Sequence, residues 1–317
     1  MKTIGFPISH KENELRRAIL PENIARLRHP EMVIIEEGYG SPLGYTDEDY
    51  LQAGAKIASH EEVLKCEVIC DAKIGDGDYL PSLRNQTVFG WLHAVRNREI
   101  ADALIEGKLT AYAWEDMFEN GIHTFHRNNY IAGEAAVLHA SMIHGILLHG
   151  ARVAVIGRGN TGRGATDVLK AMGADVDVYG REDEATLRSR IGEYDVVVNA
   201  VLWDTRRTDH IINIGDLDRM KRRALIVDIS CDKAGAIESS VPTTIAEPTY
   251  LCRGIRHYVV DHTPSLYHQT TSRTLAEEVE RFVDMLIEGE ENEVLRGAKI
   301  VDRGEILDRR IIEFQGR

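Results

Sequence analysis

The stretch Val153-Ala154-Val155-Ile156-Gly157-Arg158-Gly159-Asn160-Thr161-Gly162-Arg163-Gly164 decides the fold. Its first four residues are apolar and mostly β-branched, the composition of a strand buried on both faces. A Gly-x-Gly-x-x-Gly turn follows at once, and Ala165 to Met172 carries a helical pattern. Each glycine answers a physical need. Gly157 permits the sharp turn, Gly159 lets a pyrophosphate approach the backbone, and Gly162 lets the helix pack against the strand. The helix start offers N–H groups and the positive end of its dipole to the phosphates. A second strand, Asp175 to Tyr179, lies at the distance a dinucleotide-binding unit requires. Asn160, Thr161 and Ala200 join Gly157, Gly159 and Gly162 as the expected cofactor contacts.

The tip of that second strand reads Tyr179-Gly180-Arg181. A site for NAD(H) usually places a carboxylate there for the ribose 2′-OH. A guanidinium instead grips a 2′-phosphate with a two-pronged, charge-assisted contact, so Arg181 favours NADP(H). The competing reading makes Arg181 a solvated arginine and gives the ribose to Asp177 or Glu182.

A chain of 317 residues suits two domains of ordinary size. Its formal charge of −13, with no basic stripe, argues against a nucleic-acid partner. No apolar run is long enough to span a bilayer, and Lys2, His10, Lys11 and Glu12 interrupt any signal-peptide core. Cys66, Cys70, Cys231 and Cys252 are sparse and read as reduced thiols, so a cytoplasmic enzyme is expected. His123 and His126 have the spacing of a metal pair, but no cysteine or carboxylate converges on them, and no metal is expected.

Strand and helix patterns alternate from Met1 to Trp114 and again from Val153 to Asp261, which implies parallel sheets covered on both faces. Thr87 to His93 and Tyr258 to Asp261 read as strands, and Leu275 onward reads as a long amphipathic helix. The expected architecture is α/β, with two doubly wound domains and a cleft between them. A Rossmann domain occupies 131–264, and a discontinuous Rossmann-like substrate domain occupies 1–130 and is completed by 265–317. Chemistry in such folds sits beyond the carboxyl ends of the strands. There Arg16 or Arg17 could anchor a substrate carboxylate, and Lys73 or His93 could serve a carbonyl being reduced. His93 is the natural proton exchanger, and Asp232 could orient the nicotinamide or a reacting amine.

Five stretches carry a resemblance: Glu36-Glu37-Gly38-Tyr39-Gly40, Gly90-Trp91-Leu92-His93, Phe118-Glu119-Asn120-Gly121-Ile122, Asp228 through Gly235, and Asp261-His262-Thr263-Pro264-Ser265-Leu266. Over nearly its whole length the chain resembles the alanine dehydrogenase and transhydrogenase family. Within that family it is most similar to the members that join pyruvate to the side-chain amine of an amino acid. The resemblance implies a carboxylate-binding Arg16, Lys73 on the carboxylate or keto oxygen, His93 as acid/base and Asp232 as the active-site aspartate. His262 stands where the family has an asparagine, which leaves the amine side open to ornithine, lysine or another diamino acid. Asp261 or Glu134 is expected to meet the α-ammonium group of that substrate. The activity implied is NADPH-dependent reductive condensation of pyruvate with ornithine or lysine to an N-(1-carboxyethyl) amino acid, in a homo-oligomer. The alternative is reductive amination of a 2-keto acid by ammonia.

Overall fold

The computed structural model describes residues 1–204 and 207–317. The chain divides into two compact units, Met1–His126 with His268–Arg317, and Arg127–Tyr267.

The first unit opens with β1 (Ile4–Phe6), α1 (Pro21–Ile24), β2 (Val33–Glu36), α2 (Asp47–Gln52) and β3 (Lys56–Ala58). It continues through α3 (His60–Val63), β4 (Val68–Cys70), β5 (Thr87–Gly90), α4 (Arg98–Glu106) and β6 (Thr110–Ala113), then a small hairpin, β7 (Phe118–Glu119) with β8 (Ile122–His123). Strands β3, β2, β1, β4, β5 and β6 lie side by side in that order, all parallel. This is the doubly wound order, which reverses direction at β1/β4 and opens a binding crevice beyond those strand ends. Local chemistry starts the helices. Thr46 and Asp49 cap α2 reciprocally, and the Asn97 side chain accepts from the Glu99 and Ile100 N–H groups at the start of α4.

The second unit begins at Arg127, one residue into α5 (His126–His144), and continues through β9 (Arg152–Ile156), α6 (Asn160–Ala171), β10 (Asp175–Tyr179), α7 (Glu184–Arg190), β11 (Val196–Asn199), β12 (Leu225–Asp228), β13 (Thr249–Cys252) and β14 (Ile255–Tyr258). The sheet order is β10-β9-β11-β12-β14-β13. Both β11 and β12 are buried along their whole length, as expected of parallel strands covered on both faces. The helix after the glycine turn begins at Asn160, five residues earlier than its apolar pattern, because Gly159 serves as its N-cap and Gly162 enters its first turn. The last parallel strand is β14 rather than 258–261, so Asp261 and His262 follow the sheet instead of ending it.

The chain then returns through α8 (His268–Glu288), α9 (Glu293–Ala298), β15 (Lys299–Asp302), β16 (Glu305–Ile306) and α10 (Arg309–Gln315). Leu275, Val279, Phe282, Val283 and Leu286 of α8 join Ile4, Phe6, Val68 and Phe89 in one core. Strand β15 pairs antiparallel with β6, so the charged tail extends the first sheet to eight strands. Among the described residues no helix is long and apolar enough to cross a membrane.

Candidate active site

In the first unit the segment after β1 buries three charged side chains in sequence, Glu14, Arg16 and Arg17. Glu14 accepts from Arg16 at the backbone N (2.9 Å), at Nε (2.8 Å) and at Nη2 (2.5 Å). The Arg16 guanidinium lies 5.2 Å from the centre of the Trp91 ring. Burial alone would push the Glu14 carboxyl up, but the charge and hydrogen bonds of Arg16, with Lys73 adding charge, hold it below the usual carboxylate range. Arg17 does a different job. Its Nε donates to the Tyr39 carbonyl, its Nη1 to the Arg16 carbonyl at 2.9 Å, and its backbone N to Ser272 Oγ at 2.8 Å. Of the two arginines, Arg17 ties the loop together, and Arg16 presents its guanidinium on an aromatic floor.

Lys73 lies three residues beyond β4, buried, with Nζ 3.1 Å from Asp76 Oδ2. Its backbone N donates to Asp71 Oδ1 at 3.1 Å, and Tyr79 Oη donates to Asp71 Oδ2 at 2.6 Å. Burial raises the Asp71 carboxyl above its ordinary range, against those two hydrogen bonds. Three buried cations, Arg16, Arg17 and Lys73, therefore gather at this end of the sheet, with Glu14 paired to Arg16 and Asp76 to Lys73. Guanidinium and ammonium groups gathered in this way suit an anionic ligand.

His93 is not on a strand. It follows β5 by three residues in the left-handed backbone region (φ 53°) and is exposed. Glu115 holds that conformation, with Oε1 accepting from His93 N at 2.6 Å and Oε2 from Leu92 N at 3.2 Å. Gly75 fixes the Lys73 loop against the His93 loop, donating from N to the Trp91 carbonyl at 3.0 Å. A Cβ on Gly75 would stand 2.4 Å from the Leu92 carbonyl, so the two backbones touch where only hydrogen fits. Arg16, Lys73, Trp91 and His93 thus share one end of the first sheet. Sequence reasoning named Arg16, Lys73 and His93 but missed Glu14, Asp71, Trp91 and Glu115, whose roles depend on burial and contact rather than on spacing.

In the second unit the glycine turn has the form a dinucleotide needs. Gly157 has φ 108°, and a Cβ there would lie 2.7 Å from the Ala200 carbonyl. A Cβ on Gly162 would lie 2.1 Å from the Gly157 carbonyl, so helix and strand meet backbone to backbone. A Cβ on Gly159 would meet nothing within 4 Å, which leaves open space at the start of α6, beside Asn160 and Thr161. The residues fit a pyrophosphate.

At the β10 tip the acidic alternatives are engaged elsewhere. Asp177 Oδ2 accepts from Tyr194 Oη at 2.7 Å and lies 3.0 Å from Arg190 Nη2 and 3.7 Å from Arg152 Nη2. The Tyr194 hydrogen bond, with the two guanidinium groups, holds its carboxyl below the ordinary range. Glu182 and Asp183 both bind Arg158, at 2.8 and 3.0 Å. Arg181 is exposed and makes no hydrogen bond or ion pair among the described residues.

Beyond β12, Asp228 is buried and collects donors from Asn199 Nδ2 (2.8 Å), Ser240 Oγ, Ser230 N (3.1 Å) and Cys231 N (3.3 Å). Those bonds fix a turn in which Cys231 takes φ 55°, and Asp232 follows it directly. His262 is buried with Nδ1 2.6 Å from Asp261 Oδ1, and Glu134 lies on α5 with its carboxyl raised by burial.

Two models of one family match the chain. The N-terminal domain of alanine dehydrogenase/PNT matches residues 5–127, and the C-terminal domain matches residues 180–310. The NAD-binding domain of the D-isomer specific 2-hydroxyacid dehydrogenases matches residues 120–234. The chain is 29% identical over 315 residues to the N(5)-(carboxyethyl)ornithine synthase of Clostridium botulinum, covering 91% of this chain and 98% of that protein. It is 28% identical over 290 residues to the synthase of the same name from Lactococcus lactis, covering 86% and 92%. Alanine dehydrogenase 1 of Staphylococcus aureus is 25% identical over 307 residues, covering 84% and 82%. Two solved structures share the fold. One is an L-alanine dehydrogenase (TM-score 0.84, 22% identity, 99% of both chains), the other a transhydrogenase from Sinorhizobium meliloti (TM-score 0.79, 19% identity, 96% and 99%).

Proposed function

Because this chain belongs to the alanine dehydrogenase/PNT family of nicotinamide-dinucleotide dehydrogenases, with both of its domains present, we propose that it joins pyruvate reductively to the side-chain amine of ornithine or lysine, with NADPH as reductant. The observation that supports this reading is sequence likeness: 29% identity across 98% of the Clostridium carboxyethylornithine synthase, against 25% across 82% of the Staphylococcus alanine dehydrogenase. The Gly180-Arg181 strand tip, with Asp177 held by Tyr194 and two arginines, supports NADP(H) over NAD(H).

In this reading Arg16 and Lys73 receive the carboxylate and keto oxygen of pyruvate. The amine attacks the keto carbon to give a carbinolamine. His93 takes the proton released from nitrogen and returns one to the departing hydroxyl, which leaves as water. NADPH supplies the two electrons that reduce the resulting imine carbon. Amine, pyruvate, NADPH and one proton therefore give the secondary amine, NADP⁺ and water. Asp232, set by the Asp228 turn, steadies the cationic nitrogen while the C=N bond exists, and His262 with Asp261 faces the amino-acid part of the second substrate, with Glu134 as the other partner for its α-ammonium.

The test offers the purified protein NADPH, pyruvate and a panel of amines, with products read by mass. A new secondary amine with ornithine or lysine is expected. Alanine formed only with ammonium would instead install the second reading, which the alanine dehydrogenase relatives support.

A further inference from the structure

Arg158 occupies the first variable position of the glycine turn, yet its side chain does not stay there. Its guanidinium reaches the far side of the β10 tip, where Nη1 is 2.8 Å from Glu182 Oε1 and Nη2 is 3.0 Å from Asp183 Oδ2. Gly180 makes room for it. A Cβ on Gly180 would stand 2.8 Å from Arg158 Nη1 and 3.1 Å from its Cζ. Gly180 has φ −99°, a backbone any residue adopts, so the absent side chain is a matter of space and not of conformation. The guanidinium therefore fills the volume in which a dinucleotide site of the unphosphorylated kind would carry its ribose-binding carboxylate.

We infer that Arg158 is the principal reader of the coenzyme 2′-phosphate, with Arg181 as its second cation and Glu182 and Asp183 as placeholders that position the guanidinium until phosphate takes their place. The inference rests on the NADP(H) reading above and deepens it. Arg158 is the better-placed of the two arginines, because it bridges the glycine turn and the strand tip, the two elements that flank an adenosine ribose. Its carboxylate partners do not trap it. The side chains of Arg158 and Glu182 are 58% and 69% exposed, and ion pairs in water exchange readily. A phosphate offers the same fork two oxygens with more charge on them. The same carboxylates repel an incoming phosphate, so neutralising Glu182 tightens NADPH binding. Asp183 has a second task, since its Oδ2 also accepts from Gly180 N at 2.8 Å and keeps the tip in shape.

The experiment titrates NADPH and NADH separately against the whole protein by the change in nucleotide fluorescence, with no substrate present. Wild type, Arg158→Ala, Arg158→Lys, Arg181→Ala and Glu182→Gln are compared. Wild type is expected to prefer NADPH. Arg158→Ala should weaken NADPH by about 10–100-fold, the loss of a charge-assisted contact, and leave NADH nearly unchanged. Arg158→Lys should recover part of the loss, Arg181→Ala should cost less, and Glu182→Gln should tighten NADPH. If wild type prefers NADPH and Arg158→Ala leaves that preference intact, or weakens both nucleotides equally, the role of Arg158 is overturned while the coenzyme reading stands. A wild type that prefers NADH overturns both. Arg158 is exposed, so unchanged thermal melting of the variant is expected and verifies that it is folded.

Discussion

Glu14 and Arg16, two residues apart, form a pair sealed from water in which one carboxylate accepts three hydrogen bonds from a single residue. Removing one partner strands the other. Arg16→Met should cost about 3–5 kcal/mol at neutral pH, because the buried Glu14 charge loses its compensation. The Glu14 carboxyl sits below its unfolded value in the wild type, so its contribution is present above the ordinary carboxylate range and is lost as pH falls through and below that range. In Arg16→Met the same carboxyl is free to protonate, and mild acid should recover much of the deficit. Urea unfolding at two pH values measures this, and Glu14→Gln combined with Arg16→Met should come close to wild type in melting.

Asp71 has the opposite sign. Burial raises its carboxyl, so its folded value lies above its unfolded one. Stability from this group is present at pH below the unfolded value and is lost as pH rises through the folded value. Asp71→Asn keeps an acceptor for the Lys73 N–H and removes the charge. Relative to wild type it should be neutral or gain on the order of 1 kcal/mol near neutral pH, with the advantage fading in acid. Comparing unfolding free energies of the two proteins across that range checks the sign.

Lys73 and His93 should separate kinetically. Lys73→Met removes a cation from the proposed pyruvate site and should raise the pyruvate KM at least as much as it lowers kcat. His93→Gln removes the proposed proton exchanger and should lower kcat by about 10²–10⁴ with little change in pyruvate affinity. Steady-state kinetics with saturating amine distinguishes the two patterns. A His93→Gln enzyme with unchanged kcat would remove the histidine from the proposed chemistry.

The glycine turn made the second unit legible, because strand, turn and helix all had to agree with one geometry. That the first sheet is parallel and covered on both faces followed from alternation, but its strand order did not. Also hidden were the antiparallel additions. Three hairpins turn on two residues of positive φ: Asn120-Gly121, Arg253-Gly254 and Arg303-Gly304. The first pair is a strong hairpin signal, but its strands are only two residues long. The others place arginine at the first left-handed position, where asparagine or glycine is the usual mark. In the site, residue types at strand ends pointed to Arg16, Lys73 and His93, but the partner of Arg16 lies two residues away in a loop that no periodicity describes. Arg158 was in plain view as a variable position of the turn. Its reach to Glu182 and Asp183 depends on the missing side chain of Gly180, which a sequence shows only as a departure from an acidic residue.

Gly133 and Gly164 let α5 and α6 touch. A Cβ on Gly133 would stand 2.0 Å from the Thr161 carbonyl, and one on Gly164 would stand 2.0 Å from the Tyr130 carbonyl. Both contacts are with backbone, which cannot rotate away. Gly133→Ala should destabilise the protein by about 1–3 kcal/mol despite alanine's better helix propensity. Because the obstructed atom belongs to the first turn of α6, dinucleotide affinity should fall in the same variant. Thermal melting and nucleotide titration on one preparation test both effects.

Asp228 is the structural counterpart of Asp232. It serves four donors at once, from Asn199, Ser230, Cys231 and Ser240, and the turn it holds carries Asp232 onward from a residue in the left-handed region. Asp228→Ala leaves those donors without their acceptor and should cost about 3 kcal/mol or more, since each buried unsatisfied group carries its own desolvation penalty. Asp228→Asn is the more informative change. It keeps one oxygen for the Ser230 and Cys231 N–H groups, and its amide then faces the Ser240 hydroxyl, which can rotate to accept. The fold should survive with a modest loss of melting temperature. If Asp232 acts in the reaction, kcat should fall in Asp228→Asn because the turn loosens, while dinucleotide affinity, set by the glycine turn of α6, stays near wild type. A variant with wild-type kcat and a clearly lowered melting point would make Asp228 a stability residue alone and would detach the turn from the chemistry.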